Sequence, residues 1–171
     1  MQISRGLRRG TSLAVLLASI VIGSLLAASL VSAQAAESGS VDASGGTLSF
    51  AAGAVTVNVP DVAVGETVDI GYSPWTVATS PAPAPSGTEF GSQVFELDTS
   101  VGGEAQASYS FSGFVQVIVQ YSDADLAQAE GGRQDNINLY VYDAAFNQWN
   151  QDVSAIQDVV NKTLTSSQSK L

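Results

Sequence analysis

Two runs of strand-like residues near the middle of the chain constrain its fold most strongly. Residues 114–121 read FVQVIVQY and residues 137–142 read INLYVY, and both are rich in β-branched and aromatic residues. In the first run four residues share one face of a strand, namely Val115, Val117, Val119 and Tyr121. Phe114 and Ile118 lie among glutamines on the other face. The pattern predicts a central strand that is well covered on one side and partly covered on the other.

Similar short runs, separated by turn residues, recur along the chain after residue 46. They are residues 47–50, 55–59, 67–72, 94–97, 107–111, 114–121, 137–142, 148–153 and 162–166. This pattern predicts an all-β fold, an antiparallel β-sandwich of about eight or nine short strands.

Three connections between the runs carry local signals. Residues 122–129 (SDADLAQA) predict a short helix capped by Ser122. Residues 143–147 predict a hairpin turn that returns Trp149 to the neighbourhood of Leu139 or Val141. Prolines alternate along residues 80–86 (SPAPAPS), which predicts an exposed loop or edge segment that acts as a stiff spacer.

The N-terminus has the layout of an export signal. Three arginines precede a charge-free stretch over residues 10–36, whose apolar part is residues 13–31. Ala33-Gln34-Ala35 fits the A-x-A cleavage pattern, and Val31-Ser32-Ala33 is a second candidate. Residues 1–35 are predicted to be a signal peptide with a hydrophobic helix. The apolar part is also long enough for a retained anchor. Residues 36–45 are then a flexible lead-in, and residues 46–171 form the sandwich domain.

Charge and cysteine content narrow the partners and the compartment. The chain has a formal net charge of −10, and removal of residues 1–35 leaves three basic against sixteen acidic residues, a net charge of −13. Such a surface repels nucleic acids and anionic lipids, so contact with a membrane is expected only through an uncleaved N-terminus. Because the chain has no cysteine although export would permit disulfides, a prokaryotic cell envelope is the expected location.

The residue types present limit the chemistry. Histidine and cysteine are both absent, which excludes Ser-His-Asp and Cys-His catalysis and histidine-bound metals. Asp123 and Asp125 could supply oxygen ligands to Ca²⁺, but the helix dipole is the ordinary explanation for two acids in a first helical turn. A hydrolase would need a carboxylate pair across a cleft. The candidates Asp98, Glu104 and Asp143 show no pairing in the sequence.

The aromatic residues offer a second kind of site. Tyr140 and Tyr142 share one face of a predicted strand and, with Trp75, could form a platform on which a sugar stacks. The alternative is that Trp149 belongs to the core and the tyrosines pack on the sheet.

Several motifs, taken in order, resemble a known family. They are GGTL at residues 45–48, VNVP at 57–60, TVDI at 67–70, the run 91–97, Tyr121 with Leu126, and LYVYD at 139–143 leading to Trp149. This order resembles the ZU-type β-sandwich domains of zonula occludens proteins, ankyrins, netrin receptors and bacterial surface proteins. The family pattern continues into a further strand beyond residues 167–171, which implies an open sheet edge or a fragment of a longer protein.

The resemblance implies a structural or protein-interaction module. Some members of the family cleave themselves at a His-Phe-Ser step, which this chain cannot do without histidine. We therefore expect a non-catalytic, extracytoplasmic module that binds other envelope or extracellular proteins, or itself through the open edge, and needs no cofactor apart from the calcium considered above. The alternatives are a carbohydrate-binding module that uses Tyr140, Tyr142 or Trp75, and a carboxylate-dependent hydrolase.

Overall fold

The protein is built almost entirely of β-strands. The computed structural model describes residues 35–171 and the backbone of Leu13–Ser19. Its strands are β1 (Leu13–Ser19), β2 (Glu37–Val41), β3 (Gly46–Phe50), β4 (Val55–Val59), β5 (Val68–Pro74), β6 (Glu89–Val101), β7 (Glu104–Gln106), β8 (Ser110–Gln120), β9 (Asn138–Asp143), β10 (Gln148–Gln151), β11 (Ile156–Asp158) and β12 (Thr163–Lys170). Helix α1 spans Asp123–Gln128, and 3₁₀ turns span Ala51–Gly53, Glu130–Gly132 and Gln134–Asn136. The all-β prediction is confirmed.

The strands form two antiparallel sheets. The first has seven strands in the order β10-β9-β1-β6-β5-β2, with β7 paired to the far end of β6. The second has five strands in the order β11-β12-β8-β4-β3. Strand β8 lies at the centre of the second sheet, as its alternation predicts. Its inward residues Val115, Val117 and Val119 are fully buried, whereas Phe114 is 68% exposed on the other face.

Side chains from both sheets form one hydrophobic core. Phe50 on β3 stacks on Tyr72 of β5 with ring centroids 5.6 Å apart, and Tyr72 contacts Phe95 of β6 at 5.3 Å. Phe50 belongs to the five-stranded sheet and the other two rings to the seven-stranded sheet. This aromatic row therefore joins the two sheets directly, and each of its rings is almost completely buried.

The N-terminal part of the chain differs from the sequence-based prediction. Residues 36–45, expected to be a flexible lead-in, contain β2, which pairs with β5 and buries Val41 at its end. Leu13–Ser19 is an internal strand of the first sheet rather than part of a signal helix. The rest of residues 1–35, including the predicted cleavage site apart from Ala35, lies outside the described residues. No helix in the described part of the chain is long and apolar enough to cross a membrane.

Tyr72 should couple the stability of the fold to alkaline pH. Burial, and secondly the nearby Glu37 carboxylate, raise the pKa of Tyr72 to about 12. An unfolded tyrosine ionises near pH ~10, so folding favours the neutral form. The stability that this difference contributes is complete below about pH 10 and is lost as the pH rises through about 12. Urea unfolding followed by circular dichroism between pH 8 and pH 12 should show the loss, and Tyr72→Phe should remove this pH dependence.

Candidate functional site

The aromatic residues singled out in the sequence meet around Trp149. The indole of Trp149 lies 5.4 Å from the Tyr142 ring, 6.0 Å from Phe90 and 6.4 Å from Trp75, measured between centroids. Tyr140 belongs to the same buried cluster, which is separate from the main core. We call these five residues the aromatic cluster. The register pairs Trp149 with Tyr142, so the prediction that Trp149 packs near Leu139 or Val141 is wrong.

The proline-rich segment covers the aromatic cluster. The Trp149 indole N–H donates a hydrogen bond of 3.1 Å to the Ala82 carbonyl, and Ala82 is only 6% exposed. The segment is therefore a loop that is anchored at Ala82, although Pro83 and Ser86 are exposed as its alternating prolines predict. The reason is that an indole N–H in an apolar surrounding requires an acceptor, and the loop backbone supplies one.

The packing leaves the predicted sugar platform little free surface. Tyr140 is 8% exposed, and burial raises the pKa of its hydroxyl. Tyr142 and Trp75 are half-buried, and the Tyr142 hydroxyl donates to the Asn147 side chain at 2.6 Å. The structure thus brings the three residues together, but packed around Trp149. A cavity of about 580 Å³ lies beside the loop, and its walls are Val77, residues 80–84 and residues 88–90.

Asp125, one of the two predicted calcium ligands, is a structural cross-link. Its carboxylate is 2% exposed and accepts hydrogen bonds from the backbone N–H and hydroxyl of Ser92 at 2.6 and 2.7 Å. It also accepts from the N–H and hydroxyl of Ser122, at 2.7 and 2.6 Å. The Ser122 hydroxyl in turn accepts from the Asp125 N–H, which completes a capping box at the start of α1. The predicted cap at Ser122 is confirmed.

Asp123 does not share a site with Asp125. It is largely exposed and forms an ion pair with Lys162. No group of three or more potential metal ligands occurs within the described residues. The hydrolase candidates lie on three different elements: Asp98 lies on β6, Glu104 on the neighbouring β7, and Asp143 accepts from the Ala145 N–H in the turn before β10.

Asp125→Asn should destabilise the fold because it replaces a charged acceptor by an amide that cannot accept from every donor around it. Loss of charge-assisted hydrogen bonds at a buried carboxylate costs roughly 2–3 kcal/mol. Asp123→Asn is the matched control, since this side chain is exposed and its ion pair contributes little. Urea unfolding of both variants at pH 7 measures the difference. Equal effects of the two changes would contradict the structural role of Asp125.

A surface that the sequence reading missed lies at the edge of the five-stranded sheet. Four large apolar side chains are exposed along residues 153–160, on β11 and in the turns on either side of it: Val153 (88%), Ile156 (70%), Val159 (48%) and Val160 (85%). We call them the apolar edge. Ile156 belongs to β11, which is the outermost strand of this sheet. The signal in the sequence is weak, because the stretch VSAIQDVV alternates apolar residues with turn formers and matches no regular period.

Two aspartates hold the backbone of the apolar edge. Asp152 accepts from the Ser154 N–H at 3.0 Å and from the hydroxyl of the buried Ser166 on β12. Asp158 accepts from the N–H groups of Val160 and Asn161, each at 2.9 Å. Val153 therefore lies in a turn held by Asp152, Val159 and Val160 lie in a turn held by Asp158, and Ile156 lies on β11 between them. A preorganised surface of this kind loses less conformational entropy when a partner binds.

The aspartate bonds should make this edge sensitive to acid. Partial burial raises the pKa of Asp152, but hydrogen bonds from Ser154 and Ser166 outweigh it, so the pKa lies below its ordinary value. A lowered pKa contributes stability to the folded state at pH values above the unfolded-state pKa of ~4. This stability is lost as the pH falls through the folded-state pKa. Protection factors for hydrogen exchange over residues 152–166, corrected for the intrinsic pH dependence of exchange, should thus fall as the pH is lowered below about 4. Asp152→Asn should show the lower protection already at pH 7, and unchanged protection would contradict the assignment.

Comparison of the chain with protein-family models, with curated proteins and with solved structures found no match. The ZU-type resemblance therefore stays a prediction from the sequence.

Proposed function

We propose that the protein is an extracytoplasmic structural or protein-interaction module of the cell envelope, in which the two sheets form a ZU-type β-sandwich. Support for the sandwich is the common core to which both sheets contribute, above all the Phe50, Tyr72 and Phe95 rings. Support for export is the arginine-led apolar segment followed by Ala33-Gln34-Ala35.

The apolar edge is the observation that carries the interaction role. Monomeric proteins rarely expose several large apolar side chains in one place, and such patches are typical of binding surfaces. Here the residues lie within one short stretch whose turns are held by backbone hydrogen bonds to Asp152 and Asp158, so exposure does not result from a loose loop. The acidic character of the rest of the chain favours a partner with an apolar centre and basic surroundings.

Site-specific crosslinking in intact cells tests this role. A photoreactive residue at Val160 should crosslink the exported chain to an envelope protein, whereas the same residue at Val62, which is 73% exposed, should not. Adding Ile156→Asp to the Val160 chain should abolish the crosslink without unfolding, since Ile156 is itself largely exposed. Equal crosslinking from both positions, or a crosslink that survives Ile156→Asp, would overturn the proposal.

A further inference from the structure

One strand of the first sheet comes from the segment that the proposed export route would remove. Strand β1 lies between β6 and β9 and pairs antiparallel with both. Cleavage after Ala35 would separate β1 from the rest of the chain. The first sheet of the remaining protein would then lack its internal strand between β6 and β9.

Strand β1 lies beside residues of the main core on both neighbouring strands. Alternate residues of β1 lie opposite residues of β6 and β9 that are almost completely buried: the register places Leu13 opposite Leu97, Val15 opposite Phe95 and Leu17 opposite Leu139. Residues 13–19 (LAVLLAS) contain no charge, which suits an internal strand. The sequence and register of β1 thus define the kind of strand that fits between β6 and β9.

Nothing else among the described strands covers these two edges. Strand β5 pairs with one edge of β6, and β1 and β7 share the other edge. Strand β7, however, pairs only with residues 99–101. With β1 removed, β6 and β9 would lie about 9.5 Å apart, which is twice the spacing between paired strands. The gap between them therefore accommodates one strand. Two facing rows of backbone groups would be left without partners beside an apolar core.

We propose that the position between β6 and β9 is a strand-acceptor site, which after export takes an apolar strand of about seven residues from a partner polypeptide. The donated strand runs antiparallel to both neighbours and has uncharged, apolar residues opposite Leu97, Phe95 and Leu139. A second copy is disfavoured as donor, because a processed copy has lost its own residues 13–19 and the copies repel each other at a net charge of −13. The inference rests on the proposed export and cleavage.

Strand exchange in the full chain tests the site. A specific protease site is placed within residues 20–34, the purified full-length protein is cut there, and a fluorescent LAVLLAS peptide with a lysine tail is added. The cut chain should incorporate the peptide saturably, and the uncut chain should not. A peptide with proline at the Val15 position should bind at least about tenfold more weakly, because proline donates no hydrogen bond and this position is paired on both sides.

The possible results separate the alternatives. After the cut N-terminal fragment has been removed, a chain that keeps its native circular dichroism and takes up no peptide, or takes up the proline peptide equally well, overturns the proposal. If the cut chain unfolds, excess LAVLLAS peptide should restore its native circular dichroism spectrum, and failure to do so would also contradict the proposal. Dimers of the cut chain in sedimentation would show that a second copy occupies the site. This result would overturn the proposal that a partner polypeptide donates the strand.

Processing in cells is measured separately. N-terminal sequencing of the exported protein should begin at Ala36. An exported chain that retains residues 13–19 would overturn the strand-acceptor site, since β1 would fill it permanently. That result would leave the proposed interaction role intact, because this role depends on the apolar edge and is tested by crosslinking at Val160.

Discussion

The backbone pairing of β1 with β6 and β9 is the constraint on which the first sheet depends. The strand order places the β9-β10 hairpin on one side of β1 and β6, β5 and β2 on the other. Without β1 the hairpin would lose its only neighbour among the described strands of that sheet, and an isolated two-stranded hairpin has marginal stability. The hairpin carries Trp149, whose hydrogen bond to Ala82 fixes the proline-rich loop. The loop and the aromatic cluster therefore depend on the same internal strand.

The β1–β6 pairing is irregular at one point, and this explains the buried carboxylate. Leu16 pairs with Val94 and Ala18 with Phe90, so three residues of β6 lie opposite one residue of β1. Such a bulge turns backbone groups away from the ladder. Ser92 lies within it, and its N–H donates to Asp125. The carboxylate that looks like a calcium ligand in the sequence is thus used to satisfy the bulge and to attach α1 to the sheet.

Local patterns predicted the parts of the fold that depend on neighbouring residues. The alternation in β8, the bounds of β4 at Val55–Val59, the Ser122 cap and the turn before β10 are all correct, because each is determined within a few residues. Pairing between distant segments is different. The β2 sequence ESGSV has no strand pattern and is ordered by β5. The apolar run of Leu13–Ser19 suits a signal helix and an internal strand equally well, since both bury apolar residues on every side. The apolar edge has no period at all and emerges only from the exposure of its side chains.

The two candidate interaction surfaces differ in what they can recognise. Strand β11 has three residues, so its free edge can template few backbone hydrogen bonds with another chain, and recognition there depends on the side chains of the apolar edge. The position between β6 and β9 offers two facing backbone edges over a longer distance and selects an extended segment of low charge. Short edge strands and strong net charge are both features that limit indiscriminate pairing between copies. Both features would favour the proposed partner over a second copy at these two surfaces.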